Sequence, residues 1–291
     1  MPTPLKRSLA ILIIAATVGG FIFYLRSNPA VLGQLKNTSP LLVVGLTGLY
    51  LLTVPLLALI LRANLNLCGS KQLPIGENLL LTGYSAIANF FGPLQSGPGV
   101  RAVYLKQKHS VSMKQFGLAS LVYYAFLGGL SLATILLAGG YGVLALAGTA
   151  TALVIFAVLR TKLAMLRRTR AMVIMLVVTA VQVLLMAIIY FVELRSVNPA
   201  TTFQQAVAYA GFANLSLFAS LTPGALGIRE GLLLLTEQIH HINQATVVAA
   251  SLLDRAVYII YLSVLFIGSL LLQAQDRLVS KATVPTKPQL P

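Results

Sequence analysis

Acidic side chains are scarce: the 291-residue chain holds 6 Asp and Glu against 21 Lys and Arg, for a formal charge of +15. Only 9% of its residues are charged and 57% are hydrophobic, with a mean hydropathy of +0.87. Too little polar sequence lies between the apolar runs to build a separate soluble domain. This excludes a large extramembrane catalytic module and indicates an integral membrane protein of one domain. A single cysteine, Cys68, excludes an internal disulfide. His109, His240 and His241 show no metal-ligand spacing, because adjacent residues on a helix point in different directions, so neither a metal nor a cofactor is expected. Asp-x-Asp, His-Glu-x-x-His, Gly-x-Ser-x-Gly and phosphate-loop motifs are all missing. Glu230 and Asp254 are the two carboxylates counted inside the membrane, and no catalytic residue is assigned. The basic excess clusters in loops, a pattern that orients a membrane protein and meets anionic lipid rather than nucleic acid.

What is present is a succession of apolar runs. Lys6-Arg7 precedes a run over 8–25 that resembles a signal peptide but is long and lacks a convincing cleavage site, so it reads as a retained first span. Further full spans are predicted at 41–61, where Pro55 should kink the helix, and at 114–137, 141–159, 171–194 and 246–272. Two other runs, 78–94 and 203–221, are short for a span and carry polar residues such as Asn89 and Asn214. Residues 274–291 read as a disordered cytoplasmic tail.

Each short run ends in a glycine- and proline-rich break. The second is the sharper: Thr222-Pro223-Gly224 stops the helix, Gly227 frees the backbone, and a new helix opens at Ile228-Arg229-Glu230. Its first amides lack helical partners and, with Arg229, suit an anionic group. A solvated loop at the membrane surface is the plainer alternative. The first break has the same plan. Ala88-Asn89-Phe90 matches Ala213-Asn214-Leu215, Gly99-Val100-Arg101 matches Gly227-Ile228-Arg229, and Ala119-Ser120-Leu121 matches Ala250-Ser251-Leu252. Two units are therefore expected, about 75–138 and 201–272, each made of a short arm, a break, a short helix and a full span.

If both arms dip in and return, nearly all basic residues, including Lys106, Lys108, Lys114 and the cluster over 160–170, fall on one side, with Arg26, Lys36 and Arg195 opposite. The crowded side is then cytoplasmic, both termini lie there, and the arms enter from opposite faces. If both arms span, Lys106, Lys108 and Lys114 fall outside, which is less favourable.

Asp254 and Arg255 sit within the last span, roughly 12 Å from its start. A charge at the centre of a span costs about 2.5–3.5 kcal/mol on insertion scales, so partners are required. Neighbours on a helix point about 100° apart, so cross-pairs of Arg229 with Asp254 and of Glu230 with Arg255 are expected. A purely stabilising ion-pair network is the alternative. Arg101 has no acidic neighbour in sequence and is the cation expected to remain for a ligand, unless it snorkels to lipid phosphate. Tyr258 follows on the Asp254 face, as a cavity lining or as core packing. Asn89 and Asn214 are read either as ties to neighbouring backbone or as ligand contacts.

The stretches Asn89…Pro93…Gly97-Pro98-Gly99-Val100-Arg101 and Thr222-Pro223-Gly224…Gly227-Ile228-Arg229-Glu230-Gly231, followed by Asp254-Arg255, resemble the lysylphosphatidylglycerol synthase transmembrane region family. That family includes the flippase half of the multiple peptide resistance factor, and the likeness is read over most of the chain. Where the family often has Gly-Gly-Glu before the first Arg, this chain has Gly97-Pro98-Gly99, which carries no carboxylate. The resemblance implies a multi-pass inner-membrane protein that moves a lipid or lipid-linked head group between leaflets. It also implies a stand-alone member without the synthetase domain, from which aminoacyl transfer is not expected.

The expectation is thus an all-α polytopic bundle over 1–273 with about six full spans and two inverted re-entrant helical hairpins. Arg101, Arg229, Glu230, Asp254, Arg255, Asn89, Asn214 and Tyr258 would bind an anionic head group of a phospholipid or polyprenyl-linked lipid. Gly97, Gly99, Gly224 and Gly227 would act as hinges. An intramembrane glycosyl or acyl transferase, or a non-transporting accessory subunit of envelope lipid synthesis, are the alternatives. A homo-oligomer or an envelope-synthesis partner is compatible with the sequence.

Overall fold

Long apolar runs become helices here because lipid offers no partner for a free peptide group, so each segment must satisfy its own backbone. The computed structural model describes residues 38–91, 96–149, 164–219 and 228–282, with a few isolated positions elsewhere. All regular structure among them is helical: α1 (Pro40–Leu51), α2 (Thr53–Cys68), α3 (Ile75–Phe91), α4 (Ser96–His109), α5 (Met113–Ala138), α6 (Thr169–Val197), α7 (Phe203–Ser216), α8 (Ile228–His240) and α9 (Gln244–Ala282).

Four segments are long and apolar enough to cross a bilayer: Pro40–Cys68, Met113–Ala138, Thr169–Val197 and Gln244–Leu271. They coincide with four of the six predicted spans. Of the other two, 8–25 lies almost wholly outside the described residues, while 141–159 lies partly outside them and is helical over 142–149. Pro40–Cys68 runs past the predicted end at residue 61, and its helix is interrupted at Leu52. That break lies beside the Leu51 carbonyl, the one that Pro55 cannot bond and its ring crowds. Helix α9 continues to Ala282, so the stretch from 274 that was expected to be disordered is helical as far as 282.

Helix α6 organises the bundle, packing against α1, α2, α5, α7 and α9. Its core face is fully buried at Met175, Ile189 and Leu194, whereas Val177 is 55% and Leu184 is 53% exposed. Apolar side chains that face away from the protein are what a lipid-bathed helix requires.

The short helices form two hairpins. In the first, the contacts between α3 and α4 run in opposite chain order. Ser96 Oγ donates to the Ala88 carbonyl (2.5 Å), the Gly97 amide to Asn89 Oδ1 (2.6 Å), and Arg101 Nε to Ser85 Oγ (2.9 Å). Toward the open end, Tyr104 donates to Glu77 (2.5 Å), which also meets His109 (2.7 Å) and Lys108 (2.9 Å). A Cβ on Gly97 would lie 2.5 Å from the Ser85 carbonyl, so glycine is what lets the two limbs close. In the second hairpin, Thr202 caps α7 reciprocally with Gln205, and the same Gln205 side chain donates to the His240 carbonyl at the far end of α8 (3.2 Å).

The hairpins are then exchanged between units. Helix α3 packs on α9 and α7 packs on α5, so the first limb of each hairpin rests on the long helix of the other unit. Gly211 makes the second contact close, since a Cβ there would meet the Ser131 carbonyl at 2.8 Å. Each second limb stays with its own long helix, α4 with α5 and α8 with α9.

Candidate functional site

The hairpin tips and α9 enclose a cavity of about 210 Å³, walled also by α1, α5 and α6. Seven of the eight predicted binding residues line it: Asn89, Arg101, Asn214, Arg229, Asp254, Arg255 and Tyr258. Residues far apart in sequence converge because the last turns of α3 and α7, the first turns of α4 and α8, and α9 all contribute to its lining. Glu230 belongs to the first turn of α8, but its side chain lies outside the described residues, and with it the expected pair to Arg255. Gly224 and Gly227 also lie outside them. Gly97 and Gly99 are in regular helix without positive φ, and nothing lies within 4 Å of a Cβ built on Gly99.

The predicted cross-pair between Arg229 and Asp254 is present. Arg229 Nη2 lies 2.5 Å from Asp254 Oδ2, and Asp254 is 1% exposed. Two tyrosines complete the cluster: Tyr50 donates to Asp254 Oδ1, and Arg229 donates to the Tyr190 hydroxyl at 2.9 Å. Asp254 Oδ1 is thus hydrogen-bonded, while Oδ2 has the Arg229 charge but no hydrogen bond among the described residues.

Arg101 stands differently. Its Nε donates to Ser85, and among the described residues it makes no ion pair. The ring walls around it are Tyr123, Tyr124 and Tyr261, with Tyr123 held by Gln182 (3.1 Å) and Tyr261 within 3.3 Å of Thr53. The described lining therefore holds three guanidinium groups and one carboxylate. Excess positive charge in a desolvated pocket suits an anionic group, most of all a phosphate that can take forked donors.

The two asparagines resolve into different roles. Asn89 spends its oxygen on the Gly97 amide and so ties the first hairpin. Asn214 is 4% exposed, and its Nδ2 has no hydrogen-bond partner among the described residues. Tyr258 packs edge-on against Tyr50 (5.4 Å) and near Tyr261 (5.3 Å), so it is lining and packing at once.

Sequence reasoning missed three members of this region. Tyr50 and Tyr190 were hidden in apolar spans, with nothing in their spacing to single them out. Glu193 carried a signal: it is an ionisable residue near the end of the run 171–194, and it should have been counted beside Glu230 and Asp254. It is fully buried, and Asp254 and Arg229 are the charged groups that bear on it.

Such a cavity, charged, tyrosine-lined and set among bilayer-length helices, belongs to a polytopic α-helical membrane protein. Residues 156–266 match the family described as the lysylphosphatidylglycerol synthase TM region. The match takes in the second break, α8 and Asp254-Arg255, and leaves out α1 to α5, so the resemblance is carried by the second unit and not by most of the chain. Comparison with curated proteins and with solved structures gives no match.

Proposed function

We propose that this protein is a lipid flippase that carries an anionic head group, of a phospholipid or a polyprenyl-linked lipid, across the cytoplasmic membrane. The observation that supports it is the convergence of Arg101 and Arg229, one from each hairpin, on a single intramembrane cavity. In this reading the hairpins are re-entrant and form an inverted repeat entering from opposite faces, with both termini cytoplasmic. The exchanged packing of α3 on α9 and α7 on α5 is what two such units related by a twofold axis in the membrane plane would make. The lipid phosphate binds Arg101, the acyl chains remain in the bilayer beside the exposed helix faces, and rocking of one unit against the other changes the open side.

Proteoliposomes with head-group-labelled anionic lipid test it. Wild type exchanges label between leaflets without changing its mass, and Arg101→Gln slows exchange by about tenfold or more, the equivalent of one charge-assisted hydrogen bond. Lys106→Gln, outside the cavity lining, leaves the rate unchanged. A product of altered mass would replace this reading with a lipid-linked transferase, and absence of any exchange with an accessory subunit. Single cysteines at 97–101 and 222–230 should be labelled from opposite compartments; labelling from one side would remove the inverted arrangement.

A further inference from the structure

Glu193 has no counterpart in the function proposed above. It is 0% exposed, and neither carboxyl oxygen has a hydrogen-bond partner among the described residues. It does not line the cavity but stands behind it. Tyr50 of α1, Arg229 of α8 and Asp254 of α9 act on it electrostatically, with Tyr190 one turn earlier on its own helix and Tyr209 of α7 packed 5.1 Å from that ring. From α2 and α5 no charged group bears on it. Arg229 is thus the one cation acting on two carboxylates, and it is engaged with Asp254. Its own Nε remains without a hydrogen-bond partner. Arg255 leaves α9 about 100° around from Asp254.

In this arrangement Asp254 has the ion pair and Glu193, buried with neither carboxyl oxygen bonded among the described residues, is the carboxyl that holds a proton. We propose that Glu193 is the proton-binding residue of this protein, exchanging one proton as Arg229 changes partner between Asp254 and Glu193, which couples head-group movement to the proton gradient. With Arg229 on Asp254, Glu193 is the neutral acid. When Arg229 turns to Glu193, the Glu193 O–H bond breaks and its proton leaves to water on the open side. The anionic head group leaves Arg101 on the same side, so one positive and one negative charge depart together, the charge of the site is kept, and one proton moves with each head group. Tyr50, hydrogen-bonded to Asp254, keeps its phenolic proton in both states.

The coupling rests on the lipid-transport reading, but the proton can be observed without it. Infrared spectra of the purified protein should contain a protonated-carboxyl band at neutral pH that Glu193→Gln removes and Glu77→Gln leaves. In proteoliposomes with fluorescent phosphatidylglycerol, a gradient of one pH unit should bias wild-type leaflet occupancy by up to about tenfold, the equivalent of that gradient. Glu193→Gln, isosteric with the neutral acid, should equalise the leaflets whatever the gradient. No band lost in Glu193→Gln, no bias in an exchanging wild type, or a bias that survives the substitution would each overturn the proposal. A band lost as expected in a protein that exchanges no lipid supports the proton site and overturns the transport reading instead.

Discussion

The two hairpins are built to one plan and spend their arginines differently. At the first tip Arg101 is held by a serine and faces tyrosines, whereas at the second Arg229 is locked to Asp254 and Tyr190. The first hairpin is also closed upon itself, with Gly97 against Ser85 and Asn89, while the second takes its closest contact from outside, with Gly211 against α5. Equivalent positions therefore carry, among the described residues, a cation without an ion pair on one side and an internally neutralised one on the other. The proposed transport would need both, since a site that neutralised both cations internally would have no charge left for its cargo, and one that neutralised neither would lose stability.

The largest test of that contrast is removal of the second hairpin's counterion. Asp254→Asn leaves Arg229 buried without a carboxylate and should cost about 3–5 kcal/mol, read by denaturant unfolding in detergent. Arg101→Gln breaks no ion pair and should cost about 1 kcal/mol, while still slowing exchange by about tenfold or more; equal losses would erase the distinction. Next come the glycines. Gly97→Ala drives a methyl against the Ser85 carbonyl and should destabilise by about 1–3 kcal/mol in thermal unfolding. Gly99→Ala meets open space and should be neutral or stabilise by up to about 1 kcal/mol; a loss at Gly99 matching that at Gly97 would argue for hinges rather than contacts.

A smaller effect separates the asparagines. Asn89→Ala forfeits the bond to the Gly97 amide and should cost about 1–2 kcal/mol, whereas Asn214→Ala loses no such bond from its Nδ2 and should slow lipid exchange more than it lowers stability. The smallest lies at the open end of the first hairpin. Burial raises the Glu77 carboxyl, but hydrogen bonds from Tyr104, His109 and Lys108 outweigh it and hold the group down at about 2 against an ordinary 4.5. A depressed carboxyl stabilises the fold above its unfolded value, so this contribution is full above pH 4.5 and is lost as pH falls toward about 2. Melting temperature should drop across that window in wild type and stay flatter in Glu77→Gln; parallel curves would assign the acid response elsewhere.

Much of the site was legible before folding because lipid makes intramembrane polarity costly. Asp254, Arg255, Arg101 and Arg229 stand out from apolar surroundings, and the repeated Asn and Gly-x-Arg elements mark both tips. Glu193 is legible by the same rule, although it lies near the end of a span, where a charge is harder to tell from an interfacial one. Tyr50 and Tyr190 were not legible at all. A tyrosine in an apolar run looks the same whether it packs against lipid or binds a buried carboxylate.

Sequence alone determined the helical class, the four described spans to within a few residues except at the C-terminal end of the first, and the pairing of Arg229 with Asp254, because each follows from local hydrophobicity or from the cost of an unpaired charge. Tertiary structure alone decided that Arg101 and Arg229 reach one cavity, that α3 packs on α9 and α7 on α5, and that the Glu193 carboxyl stands behind the Arg229–Asp254 pair without a hydrogen bond among the described residues. Those facts depend on which helix faces which, and close packing settles that through contacts such as Gly97 and Gly211, where a single missing Cβ sets how near two backbones approach.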